Sequence, residues 1–91
     1  MIFSSIHNYY EQLVIDYLTE ILAPELEIAD EDLLEDIACI ALNNLPARYI
    51  RHSVDMAFFL TTSEREQIFD MVKSETHKAA EKVLSAEQSS R

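Results

Sequence analysis

The stretch Asp36–Tyr49, with the sequence DIACIALNNLPARY, decides how this chain folds, and Ile50, Arg51 and His52 follow it directly. An apolar helical pattern runs into a proline within it, and the residue before a proline disfavours helical geometry. The stretch therefore predicts that a helix ends and an extended segment begins here. The first 47 residues contain ten Asp or Glu and no Lys or Arg. Arg48, Arg51 and His52 thus form the first basic cluster on an acidic chain, which indicates a binding site.

Length and charge limit the classes of protein to which this chain can belong. Its 91 residues are enough for one domain, which we assign to residues 1–91 with a core over about 5–85 and a polar tail over 86–91. A net charge of −10 would repel duplex DNA, whose binding depends on Lys and Arg at the phosphates. We therefore expect no DNA partner.

The expected location is the cytoplasm. No apolar run approaches the roughly 20 residues that span a bilayer, and Met1–His7 lacks the basic start of a signal peptide. A single cysteine, Cys39, permits neither an internal disulfide nor a Cys-based zinc site. We expect Cys39 to be a buried small apolar residue on a helix.

The chain contains no glycine. Glycine supplies the positive-φ turns and the phosphate-cradling loops of nucleotide-binding proteins, so a P-loop or a dinucleotide-binding glycine motif is excluded. Any phosphate recognition must use side chains and helix N-termini instead.

The first helix is predicted over about residues 6–22, because apolar residues recur there at helical spacing. Ala23 and Pro24 are expected to end it. The residues of its apolar stripe are Tyr10, Leu13, Val14, Tyr17, Leu18, Ile21 and Leu22.

The second helix is predicted to begin after Asp30, an N-cap residue type followed by acidic residues that suit the helix dipole. It should end near Asn43 or Asn44. Its apolar face comprises Leu33, Leu34, Ile37, Ala38, Ala41 and Leu45.

The segment that follows is rich in aromatic and β-branched residues, and we predict a strand at Met56–Leu60. Its pairing partner would be Tyr49–Val54 or the same strand of a second subunit. Ser63 and Glu66 have the spacing of a capping box and predict a last helix over about 64–85. Its buried stripe would comprise Ile68, Met71, Val72, Ala79, Val83 and Leu84.

The predicted fold class is therefore mainly α, with three longer helices and one short extended segment or β-strand, in a chain that forms a symmetric dimer. We expect no enzyme activity, no catalytic residues and no cofactor. The pair His52 and Asp55 is too small for a metal site, which needs three or four converging ligands. The carboxylates Glu31, Asp32, Glu35 and Asp36 are explained by solvation and by the helix dipole.

The segment Asn43–His52 follows the second helix, and we call it the junction. It holds the side chains that a small nucleotide ligand needs. Arg48 and Arg51 can bind phosphate oxygens, Tyr49 can stack on a base, and the amides of Asn43 and Asn44 can bind a base edge. A purely structural interpretation is also open. In it the asparagines cap the helix, the tyrosine packs, and the arginines neutralise nearby acidic helices.

The same residues resemble a known family. Asp36-Ile37-Ala38, Ala41-Leu42-Asn43 and Leu45-Pro46-Ala47-Arg48-Tyr49 look like the signature of the late competence development ComFB family, and the resemblance extends over roughly residues 5–85. Upstream, Asn8, Glu11, Leu13 and Val14 are similar to the family's pattern on its first helix. The family is small and largely helical, is linked to competence and type IV pilus-related behaviours, and includes receptors for cyclic dinucleotides. Some members bind zinc through several cysteines, which this chain lacks.

The resemblance implies a dimeric, non-enzymatic receptor for a cyclic dinucleotide such as cyclic di-GMP. The residues expected to contact the ligand, or to pair with those that do, are Arg48, Arg51, Asn43, Asn44, Tyr49, His52, Glu11 and Asp36. Two other classes stay open, namely an interaction adaptor of the competence or pilus system and a small hydrolase that uses the acidic cluster of the second helix.

Overall fold

The structure is a computed structural model that describes residues 5–52 and 60–89, with side chains described through residue 87. The mainly helical fold class is confirmed, with short strands at two places in the described chain. The elements are β1 (His7–Asn8), α1 (Tyr10–Tyr17), a π-helical turn (Leu18–Leu22), α2 (Ala23–Leu26), α3 (Glu31–Asn43), β2 (Tyr49–Ile50) and α4 (Thr62–Ser89).

The first helix differs from its prediction at both ends. It begins at Tyr10 rather than near residue 6, because His7 and Asn8 form a strand. It also continues through Pro24 as far as Leu26, so the prediction that Pro24 ends it was wrong. The π-helical turn explains this. Pro24 has no backbone N–H, and its ring would clash with a carbonyl of a regular α-helix. The wider π-helical turn accommodates both properties.

The π-helical turn also changes which side chains are buried. Five residues of the predicted stripe are buried, namely Tyr10, Val14, Tyr17, Leu18 and Leu22. Ile21 was predicted to be buried but is 45% exposed. The wider turn rotates the following positions about the helix axis, so the 3.6-residue period fails within it.

The helix ends at Glu27, whose backbone has a positive φ of 55°. The N–H of Ile28 donates to the carbonyl of Ala23 at 2.9 Å, and the N–H of Glu27 donates to that of Pro24 at 3.3 Å. This is the Schellman arrangement, in which glycine usually occupies the left-handed position. Because the chain has no glycine, a glutamate bears the strain here.

The prediction for α3 is confirmed. The Oδ1 atom of Asp30 accepts a hydrogen bond from the N–H of Asp32 at 2.9 Å, and the helix ends at Asn43 with Asn44 as its C-cap. Cys39 is exposed, so its predicted burial was wrong. It lies two residues from both Ile37 and Ala41, the buried positions, and two residues turn a helix by about 200°.

The last helix begins two residues earlier and ends four residues later than predicted. Its cap is Thr61 rather than Ser63, since the Thr61 hydroxyl accepts from the Glu64 N–H at 3.1 Å and donates to the Glu64 carboxylate at 3.2 Å. Residues 86–89 are helical rather than a frayed tail. Of the predicted stripe, Met71 lies at its edge and is exposed, while Leu84 is half-buried.

Strand β2 pairs antiparallel with β1, with His7 opposite Ile50 and Asn8 opposite Tyr49. This pairing with the N-terminal segment was not predicted, because it joins residues about forty positions apart. The strand predicted at residues 56–60 lies outside the described residues except for Leu60, which is buried and not in a strand.

The core lies where the helices meet, with α4 packed against both α3 and α1, and α1 packed against α3. Its buried side chains are Tyr10, Val14, Tyr17, Leu18, Leu22, Ile37, Ala41, Leu45, Leu60, Ile68, Val72, Ala79, Ala80 and Val83. The polar ends of α3 and β2 therefore lie at the surface of one helical core.

We expect Glu27→Gly to raise the free energy of unfolding by about 0.5–1 kcal/mol, because glycine adopts positive φ without steric strain. Glu25→Gly is the matched control, since it removes the same charge within α2 and should lower that free energy by about 0.5–1 kcal/mol. Urea denaturation measures both. A Glu27→Gly variant less stable than the parent would contradict the prediction.

Candidate functional site

The junction between α3 and β2 is attached to the start of α1 through Asn8. The side-chain Oδ1 atom of Asn8 accepts hydrogen bonds from the N–H of Arg48 at 3.1 Å and from the N–H of Tyr10 at 3.2 Å. The N–H of Tyr9 donates to the carbonyl of Arg48 at 2.7 Å. Both backbone polar groups of Arg48 are therefore held by the segment that precedes α1, and its position does not depend on its own side chain.

The side chains of the junction point to solvent. Tyr49 is 69% exposed, whereas its neighbour Ile50 packs against the core. Successive side chains of a strand point to opposite faces, so burial of Ile50 directs Tyr49 outward. Arg48, Arg51 and His52 are exposed as well. Among residues 5–52 and 60–89, neither arginine has a carboxylate within ion-pair distance.

Three further predicted residues lie at the end of α3 or at the start of α1, namely Asn43, Asn44 and Glu11. Asn43 and Asn44 lie at the end of α3, and the side-chain amide of Asn44 donates to the carbonyl of Ile40 at 2.9 Å. Asn44 therefore caps the helix, while Asn43 is exposed. Glu11 is exposed in the first turn of α1, two residues after the Tyr9 N–H that bonds to Arg48.

Asp36 is not brought to the junction. It lies seven residues before Asn43 on α3, which is about 10 Å along the helix axis. It lines a separate groove together with Cys39 and Lys82 of α4. Asp36 thus lines a different surface feature, whereas the backbone contacts of Arg48 bring the start of α1, which carries Glu11, to the junction.

A second feature, which the sequence patterns did not reveal, is an apolar groove of about 320 Å³ between the first helix and α4. We call it the α1–α4 groove. The residues that line it are Tyr9, Leu13, Asp16, Tyr17, Glu20, Ile21, Arg65, Ile68, Phe69 and Val72. Its one available sequence signal was the position of Phe69, an aromatic residue outside the predicted buried stripe of α4.

Tyr17 forms the floor of this groove and is held by two contacts with α4. Its hydroxyl shares a hydrogen bond with Nε2 of His77 at 2.7 Å. Its ring meets that of Phe69 edge to face, with centroids 6.0 Å apart. Burial, and secondarily the negative charge of Glu25, raise the pKa of the Tyr17 phenol above its ordinary value of 10.0.

Among residues 5–52 and 60–89, no group of three or more His, Cys, Asp or Glu side chains converges in a way that would hold a metal ion. None of the described helices combines the length and apolar composition needed to cross a membrane.

The sequence model of one protein family matches this chain. The family is described as late competence development protein ComFB, and the match covers residues 7–87. It therefore spans β1, the junction and nearly all of α4. No match was found among the curated proteins or among the solved structures.

We expect the Asn8→Ala variant to lose about 0.5–1.5 kcal/mol of unfolding free energy, because the half-buried N–H of Tyr10 loses its acceptor while the exposed N–H of Arg48 can bond to water. Asn8→Asp retains an acceptor oxygen at the same position and should stay within about 0.5 kcal/mol of the parent. Urea denaturation of the three proteins tests this. Equal stabilities for the alanine variant and the parent would show that the bridge does not stabilise the junction.

The raised pKa of Tyr17 predicts a loss of stability at alkaline pH. The folded state keeps the phenol proton to higher pH than the unfolded state does. This contribution is therefore fully present below about pH 10 and is lost as the pH rises through the folded-state pKa. Tyr17→Phe should lose stability less steeply than the parent above about pH 10. Thermal unfolding measured below and above about pH 10 tests this. A Tyr17→Phe variant whose stability falls as steeply with pH as that of the parent would contradict the prediction.

Proposed function

Because this chain belongs to the late competence development ComFB family, which points to a competence-related role, we propose that it is a non-enzymatic receptor for a cyclic dinucleotide. Cyclic di-GMP is the first candidate ligand. The receptor would act in the cytoplasm, where it would regulate competence, type IV pilus or motility-related behaviour.

The observation that carries this proposal is the exposed basic junction on an acidic chain. Arg48 and Arg51 lie three residues apart with no carboxylate partner among the described residues, in a chain of net charge −10. Guanidinium groups bind phosphate oxygens in a bidentate geometry and also stack on purines. At physiological ionic strength, salt screens charges that lie more than about 8 Å apart, so distant carboxylates repel an anion at the junction only weakly. The local arginines therefore decide whether an anion binds here.

Neighbouring side chains supply the groups that would bind the bases. The exposed ring of Tyr49 offers a stacking surface. Asn43 offers an amide for a base edge, and Glu11 offers a carboxylate that accepts hydrogen bonds from guanine N–H groups. His52 is an additional polar contact. Asn44 is assigned to helix capping, and Asp36 is left out because it lies in the separate groove.

The symmetry of the ligand favours a dimeric receptor. Cyclic di-GMP has two phosphates and two guanines related by a two-fold axis. A two-fold symmetric pair of chains would present each junction to one half of it. Each subunit would then contribute its two arginines to one guanine and one phosphate.

A second candidate function is a protein-interaction adaptor of the competence or pilus system with no nucleotide ligand. The observation that favours it is the α1–α4 groove, whose walls leave Ile21 and Phe69 45% and 51% exposed. Exposed apolar patches of this kind mark interaction sites. The junction residues would then serve the fold alone.

Titration calorimetry distinguishes the two functions. We expect cyclic di-GMP to bind the parent saturably and Arg48→Ala to bind at least about tenfold more weakly, since a hydrogen bond to a charged group contributes about 1.5–3 kcal/mol. The variant should fold, because Asn8 and Tyr9 contact the backbone of Arg48 and not its side chain. Lys73→Ala, which removes an exposed positive charge from α4, is the matched control and should bind like the parent.

Competition with cyclic di-AMP and with linear pGpG defines the ligand. Displacement by cyclic di-AMP at equal concentration would change the assignment of the base. No binding heat and no thermal shift with any of the three nucleotides would contradict the receptor proposal and favour the adaptor.

A further inference from the structure

The α1–α4 groove is apolar at its floor and walls. Ile68 and Val72 of α4 lie at the bottom and are buried, and Tyr17 is fixed there by His77 and Phe69. Ile21 and Phe69 rise from the two walls with about half of their surfaces exposed. A floor held by a hydrogen bond and a ring contact does not need to be ordered when a partner binds, so the groove is preformed.

The wall of the groove that the first helix forms is acidic. Asp16 and Glu20 lie four residues apart on it, and residues four apart on a helix are separated by about 6 Å along its axis. This wall therefore carries two carboxylates at about the spacing of one helical turn, and we call the pair the acidic rim of the groove. On α4, Glu66 and Asp70 line an adjoining depression that shares Phe69 with the groove, and they add negative charge nearby.

Arg65 is the one basic side chain among the described lining residues, and it already interacts with another group of the protein. The first helix contributes no cation, because the first 47 residues contain neither Lys nor Arg. This charge disfavours anionic ligands, including the nucleotide proposed for the junction. It favours an occupant that combines an apolar stripe with positive charges on the side that faces Asp16 and Glu20.

We propose that the α1–α4 groove binds an amphipathic helix of a partner protein, with two or three apolar side chains seated between Ile21 and Phe69 and with Lys or Arg residues facing the acidic rim. A helix laid in a groove presents apolar residues at i, i+3, i+4 and i+7, and basic residues on either side of that stripe lie one turn apart. The spacing of the basic residues matches that of Asp16 and Glu20. The inference stands whether or not the junction binds a nucleotide.

The test uses the full chain, without nucleotide, and three fluorescently labelled peptides measured by anisotropy. The first is a capped peptide of Leu and Lys with Leu at i, i+3, i+4 and i+7. The second has Glu in place of Lys, and the third has the Leu and Lys composition with Leu distributed around the helix. We expect the first peptide to bind at least about tenfold more tightly than either of the others.

Variants of the protein locate the binding site with matched controls. Ile21→Gln removes an apolar wall residue, whereas Ile15→Gln changes an isoleucine of the same helix that is equally exposed, at 44%, and does not line the groove. We expect the first variant to weaken binding about tenfold and the second less than twofold. The rim pair Asp16→Asn with Glu20→Gln should weaken binding about threefold to tenfold. Glu31→Gln with Glu35→Gln, the same spacing on α3, should have no effect.

Three results would overturn the proposal. The first is absence of binding by the Leu and Lys peptide up to about 1 mM. The second is equal effects of the two isoleucine variants, because attraction to the net charge alone does not distinguish them. The third is a change of oligomeric state in Ile21→Gln, measured by analytical ultracentrifugation, without any change in peptide binding. That result would assign the groove to a second copy of this chain.

Discussion

The carboxamide of Asn8 is the interaction on which the arrangement of this protein depends. One oxygen atom accepts hydrogen bonds from the first residue of α1 and from Arg48, which lies forty residues later in the chain. The Tyr9 to Arg48 bond and the short β1–β2 pairing close the same connection. The bond to Tyr10 is half-buried and the bond to Arg48 is exposed. A half-buried backbone N–H without a partner is costly, so the first bond fixes the carboxamide at the start of α1, and the second bond holds Arg48 against it.

The result is a small acidic protein with two surfaces of opposite chemistry. The junction presents cations, an aromatic ring and an amide, whereas the α1–α4 groove presents apolar side chains beside the carboxylates of Asp16 and Glu20. Tyr9 belongs to both, since its backbone N–H donates to Arg48 and its side chain lines the groove. An anion at the junction and a cationic, apolar partner at the groove would therefore both lie next to Tyr9. The anion would contact the arginines and the partner would contact the carboxylates of the groove, so the two would not compete for the same charged side chains.

The absence of glycine and the presence of Pro24 explain the departures from regular helix geometry. The chain passes the proline by widening one turn into a π-helix, and it ends that helix with a glutamate in the left-handed conformation. The wider turn exposes Ile21, which becomes a wall of the groove. The π-helical turn that accommodates the missing N–H of Pro24 thus also exposes Ile21, about one helical turn away, at the wall of the groove.

Periodicity, cap residues and the proline turn after α3 were sufficient to predict three helical segments, the Asp30 cap and the basic junction, because all of these depend on residues close together in the chain. The same patterns failed for Ile21, where the helical phase changes, and for the start of α4, where several cap residues compete. The burial predicted for Cys39 rested on its residue type, whereas the helical spacing of α3 places it away from the buried positions. Only the tertiary structure decided that β2 pairs with β1, that the start of α1 contacts the backbone of Arg48 while Asp36 lines a separate groove, and that an acidic-rimmed groove opens between α1 and α4. Each of these depends on contacts between distant segments, and a one-dimensional pattern does not encode the geometry of such contacts. The sequence by itself determined the elements and the chemistry of the junction, and tertiary packing determined which side chains share a surface.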